Sequence, residues 1–117
     1  MGNNKIQKNR NTIKARVEVL IIKEEDTYVA FCPALDLSSY GETEKKALHA
    51  FGSALNIFFE ETQRKGTLEK ALLKLGWSLR QYPQPMYEPP KIASADLLRM
   101  FKSKTQSVRT EEIAVPA

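Results

Sequence analysis

The sequence predicts an α+β domain: an antiparallel three- to four-stranded sheet packed on one long helix, in the order β-β-β-α-α-β, with an extended C-terminal arm. Three observations predict it. Short β-branched runs early in the chain alternate with period two and are separated by polar turns. A later run places its apolar residues at helical spacing, between a capping threonine and a glycine. Beyond it, four of the six prolines fall within residues 83–90, where neither a helix nor a central strand is sustained.

The elements follow in order. Residues 1–11 are polar and read as a disordered basic leader. Ala15–Lys23 (ARVEVLIIK) reads as a strand, with Val17, Val19 and Ile21 on one side and Glu18, Leu20 and Ile22 on the other. Apolar residues on both sides at its end predict a central strand covered on at least one face. The polar break Glu24–Thr27 leads into a second strand, Tyr28–Cys32, making an antiparallel hairpin. Pro33 has no N–H to donate and stops that ladder. A third strand is expected over Leu35–Tyr40, broken by Gly41.

Thr43 is a good N-cap for a long helix from Glu44 to about Arg64. Ala47, Phe51, Ala54, Leu55 and Phe58 fall on one helical face and are expected to be core. Gly66 stands where a left-handed C-terminal cap belongs. Gly52, in mid-helix, is expected to permit close approach of a neighbouring element. Thr67 is expected to cap a second helix, Leu68–Leu75, and Trp77–Gln81 reads as a fourth strand. The main domain thus spans 12–82. Residues 83–117 read as a proline-rich strap, a short helix Ala95–Lys102 and a terminal strand Glu111–Val115. Such an arm is suited to reach a second subunit and add to its sheet edge, so a dimer or higher homo-oligomer is expected.

Composition narrows the function classes. The chain has 117 residues, enough for one core, and 42% of them are hydrophobic. No apolar run approaches the roughly 20 residues a membrane span needs, and the polar start resembles no secretory signal, so the expected compartment is the cytoplasm. The net charge of +4 is unevenly placed. Residues 1–16 carry Lys5, Lys8, Arg10, Lys14 and Arg16 and no acid, whereas the remainder is nearly neutral. A basic arm of this kind is a candidate for DNA contact, but it has no interleaved aromatics to stack on bases.

Candidate chemistry is thin. The single cysteine, Cys32, lies in an apolar run with no nearby base to activate it. The single histidine, His49, falls on the long helix and reads as a flank residue. No phosphate loop, dinucleotide fingerprint or zinc-protease motif is present, and no cofactor is expected. Carboxylates are the remaining route, through a two-metal nuclease site: Glu18 on the first strand, Asp36 on or beside the third, and Glu60 and Glu61 near the end of the helix, with Glu24, Glu25 and Asp26 in a solvated turn.

The stretch Tyr28–Leu48 (YVAFCPALDLSSYGETEKKAL) resembles the HicB antitoxin signature at Tyr28, Cys32, Pro33, Leu35, Gly41, Thr43, Ala47 and Leu48. Gly66-Thr67-Leu68, Leu75-Gly76-Trp77 and Tyr87–Pro90 are similar to the HicB-like subgroup, so the likeness spans about residues 14–92. The resemblance implies a partial RNase H-like fold without catalysis, and neutralisation of a small mRNA-cleaving toxin of the HicA type. Residues expected to meet a partner or second subunit are Asp36, Leu37 and Tyr40 on the third strand, and Leu97, Phe101, Ile113 and Val115 on the arm. Family members commonly repress their own operon through an appended DNA-binding motif. Only 40 residues follow Trp77, and no helix-turn-helix is legible in them.

Overall fold

One strand, apolar on its whole inner side, orders the entire molecule. The computed structural model describes residues 4–9, 11–80, 86–90 and 105–116. Its elements run β1 (Lys5–Lys8), β2 (Thr12–Glu24), β3 (Thr27–Cys32), β4 (Leu37–Gly41), α1 (Glu44–Lys65), α2 (Leu68–Lys74), β5 (Ser78–Arg80), β6 (Met86–Glu88) and β7 (Thr105–Pro116). The α+β class expected from the sequence is present. All seven strands join one antiparallel sheet, against the three or four expected.

β2 is the axis of that sheet. β7 pairs along it from Thr12 to Ile22. Its other edge is shared end to end: β1 takes Ile13–Arg16 and β3 takes Leu20–Glu24. β4 continues outward from β3, while β6 and then β5 continue from β1. The sheet therefore forks into two wings that share β2 and β7.

Alternation along β2 decides what each face is for. Ile13, Ala15, Val17, Val19 and Ile21 are buried on the inner face, where Ala47, Phe51, Leu55 and Phe59 of α1 and Leu68 and Leu72 of α2 complete the core. The helical stripe departs from the expected set at two places: Ala54 is only half-buried, and at the end Phe59 is buried and Phe58 half-buried, their rings packed edge to face at 5.2 Å. Leu20 and Ile22 are buried on the outer face as well, as their position in a central strand predicts.

The helix ends are built as their residues dictate. Thr43 Oγ1 accepts the Lys46 N–H at 3.1 Å, and Gly66 closes the helix at φ 67°, donating to Gln63 while Thr67 N–H reaches Thr62. The expected side-chain cap by Thr67 is not made; its carbonyl begins α2 instead. Gly41 is the last residue of β4, paired with Tyr28, instead of a break after it, and what it permits is close approach: a Cβ there would stand 2.7 Å from the Ala47 nitrogen. Gly52 does not serve close packing, because a Cβ there meets nothing within 4 Å.

Three expectations about the ends of the chain are corrected. The supposed disordered leader holds β1, because Ile6 inserts between Ala15 and Tyr87 in the sheet while Lys5 and Gln7 face outward. Part of the proline-rich strap, Met86–Glu88, is the sheet strand β6. The terminal strand is more than twice as long as expected and pairs with β2 of its own chain, so Val115 is core opposite Ile13 and Ile113 lies against Ala15. The helix expected over Ala95–Lys102, with Leu97 and Phe101, lies outside the described residues.

Candidate protein-interaction surface

The signature residues gather around the β3–β4 hairpin, and each has a structural task. β3 ends with Cys32 paired to Leu37, and Pro33–Asp36 forms the connecting turn, closed by the Asp36 N–H on the Pro33 carbonyl at 3.3 Å. Asp36 takes the left-handed conformation (φ 50°), which aspartate tolerates better than most residues. β4 therefore begins at Leu37, two residues later than expected. Trp77 Nε1–H donates to the Ala34 carbonyl at 2.7 Å and pins this turn against the end of α2. Leu35 is buried beneath it.

Cys32 is buried, and burial pushes its thiol up to about 11, against hydrogen bonds from the Leu35 and Ala34 backbone that lower it. It packs as a small hydrophobe. Tyr28 is half-buried with Lys23 Nζ 5.6 Å from its ring centre. Ala47 is buried under the sheet and Leu48 half-buried on the flank of α1 facing β7.

What the hairpin presents outward is different in character. Leu37 is half-buried and Asp36 exposed. Tyr40, paired with Val29, is 74% exposed on the outer face, and Val108 of β7 is 51% exposed on the same face opposite Leu20. Register places Phe31 in this apolar wing too. β4 is the outer strand of its wing. At the Tyr40 end of the hairpin lies the β2–β3 turn, where Glu24, Glu25 and Asp26 are all exposed. The turn is tighter than expected, with only Glu25 and Asp26 unpaired.

The opposite wing of the outer face is basic. Lys5, Gln7, Lys14 and Arg16 line a shallow depression of about 450 Å³ with Glu112 and Ala114 of β7, and Arg16 Nε meets Glu112 at 3.2 Å. Lys8 alternates to the other face, so the basic leader is divided by its own strand.

The carboxylates Glu18 and Asp36 lie on different elements, β2 and the β3–β4 turn. Glu18 sits in the gap between β1 and β3, its N–H donating to Asn4 Oδ1 at 2.7 Å and its Oε1 buried without a partner. Asp36 is exposed in the following turn. Among the described residues no three His, Cys, Asp or Glu side chains stand close enough to hold a metal ion, and no helix is long and apolar enough to cross a membrane.

Sequence reasoning missed a groove between α1 and β7, about 500 Å³, bordered by His49, Gly52, Ser53, Asn56, Glu111 and Ile113. Burial raises the Glu111 carboxyl above its ordinary value. The signal for this groove was Gly52, a mid-helix glycine read as a packing device. At the mouth of the same helix, Glu44 binds Arg109 of β7 through Nε at 3.0 Å and through Nη2, and accepts from Ser107 at 3.2 Å. Compared with known proteins, the chain matches no family model, no curated protein and no solved structure.

Proposed function

We propose that this chain is an antitoxin-like binding module of the HicB type, which neutralises a small basic mRNA-cleaving toxin of the HicA type in the cytoplasm without chemistry of its own. The observation that carries the reading is Tyr40. An aromatic side chain 74% exposed on a sheet face, at the same end as the acidic Glu24–Asp26 turn, fits a basic protein partner. The residues of the HicB-like signature support it in another way: Cys32, Pro33, Leu35, Gly41, Thr43 and Ala47 are spent on building the hairpin and its junction with α1. The partial RNase H-like description belongs to this proposal, with β2, β3, β4 and α1 as the corresponding part.

The test is a growth assay with the small reading frame adjacent to this one, expressed with and without the chain. Rescue by the wild-type chain supports the toxin reading, and a harmless neighbour sinks it. Tyr40→Ala, which removes no buried contact, is expected to keep the melting temperature and lose rescue. Full rescue by Tyr40→Ala moves the interface elsewhere.

A second reading keeps the fold and drops the toxin: an oligomeric regulatory module. The long strand β7, whose second edge no described residue uses, favours it.

A further inference from the structure

β7 is a 12-residue edge strand. One of its edges is used by β2, and no described residue pairs with the other. Long, open strand edges are the usual template for pairing with another chain. Which backbone groups point outward follows from Glu18, whose N–H is taken by Asn4 on the β1 side of β2. The Glu18–Thr110 pair is therefore a non-hydrogen-bonded pair, and the N–H and C=O of Thr110 face the open edge.

We propose that this edge is a homodimer interface, in which two copies pair β7 with β7 antiparallel about a two-fold axis at Thr110. The charges of the strand select that register. With the axis at Thr110, Arg109 stands opposite Glu111 of the second copy, twice, and Ser107–Ile113 are all paired, up to the irregularity that skips Gln106 in the β2–β7 ladder. An axis at Arg109 sets two arginines face to face. Axes at Glu111 or Glu112 set two carboxylates face to face, which is destabilising. An axis at Val108 pairs only Ser107–Arg109 before it meets the irregularity at Gln106, and leaves the rest overhanging.

The groove between α1 and β7 is an independent observation pointing the same way. Arg109 and Glu111 project to the α1 side of the sheet, together with Val17 and Val19 of β2. Glu111 is half-buried there and makes no ion pair among the described residues. Gly52 on the flank of α1 above it leaves open the space a side chain would fill. A mid-helix glycine that serves no packing within its own chain is accounted for by a group arriving from outside. Arg109 of the second copy is that group; its guanidinium keeps donors beyond those given to Glu44. The interface is independent of the toxin reading, because it uses neither Tyr40 nor the β4 edge.

Sedimentation equilibrium on the full chain is expected to give twice the 13.3 kDa chain mass. Thr110→Pro removes an N–H that β2 does not use, and is expected to return the chain to its single mass with its circular dichroism spectrum unchanged. Cysteine cross-linking tests the register without relying on that variant. Directly opposed residues on antiparallel strands stand within disulfide range, and Cys32 is buried out of reach. Thr110→Cys is expected to cross-link with itself under oxidation. Val108→Cys and Glu112→Cys are expected to cross-link when mixed, and neither alone. A wild-type chain at single mass at every concentration overturns the dimer. Thr110→Cys chains that stay apart, while cysteines at another β7 position join, overturn the register.

Discussion

Trp77 and Ala34, 43 positions apart, are joined by an indole N–H donating to a carbonyl at 2.7 Å, and both residues are buried. This bond ties the β3–β4 turn to the end of α2. Trp77→Phe keeps most of the ring and strands the Ala34 carbonyl, a loss of about 1–3 kcal/mol. Thermal unfolding followed by circular dichroism is expected to show a melting temperature lower by several degrees. An unchanged midpoint would mean that water replaces the indole.

The two glycines at the ends of opposite arguments make a paired test. In the single chain, at concentrations too low for dimers, Gly52→Ala adds a Cβ in open space within a helix and is expected to stabilise by roughly 0.5–1 kcal/mol. Gly41→Ala drives a Cβ to 2.7 Å from the Ala47 backbone nitrogen and is expected to destabilise by about 1–3 kcal/mol. Denaturant midpoints of the two variants should fall on either side of wild type.

Cys32 supplies an alkaline limit. Its thiol is raised by burial from 9.0 to about 11, so the folded state holds the proton more tightly than the unfolded chain. The associated stability is fully present below pH 9.0 and is lost as pH rises toward about 11. Cys32→Ala is expected to be less stable than wild type at neutral pH, with the gap narrowing across that window in paired thermal melts. The wild-type thiol should ignore a thiol reagent until the chain is unfolded.

Glu44 and Arg109 hold β7 to the start of α1. The Arg109 guanidinium keeps the Glu44 carboxyl below its ordinary 4.5, with a smaller contribution from the Ser107 hydroxyl. A lowered folded value means stability present above pH 4.5 and lost as the solution is acidified through the folded value. The pair is largely solvated, so its effect on global stability is small. Arg109→Ala is expected to speed hydrogen exchange in Ser107–Glu111 at pH 7, and the difference from wild type should shrink in acid.

The parts of the fold that were legible are those whose pattern is intrinsic. Thr43, the apolar stripe and Gly66 define α1 from both ends without reference to anything else, and the hairpin from β2 to β3 carries its own alternation. β1, β6 and the first half of β7 were not legible. Ile6 is the one apolar residue of its strand, Tyr87 lies among prolines, and Thr105–Thr110 is polar on both sides apart from Val108. These segments become strands because β2, or a strand already attached to it, offers a ladder. The surface was legible to the same extent. Tyr40 could be named from the sequence, whereas the α1–β7 groove required knowing that β7 returns to its own chain.

The pairing of β7 with β2 has a consequence for how the protein is made. At about 5–20 residues per second, a ribosome delivers Thr105 roughly 5–20 s after Thr12. During that interval β2, its hydrophobic side chains already in place, has one bare edge along its length. Until β7 emerges, that edge is open to any strand that can pair with it. Another copy's β7, released from a neighbouring ribosome, fits it as well as the chain's own does. Slow translation between β6 and β7 should therefore favour exchanged dimers, and a chaperone that shields strand edges should suppress them.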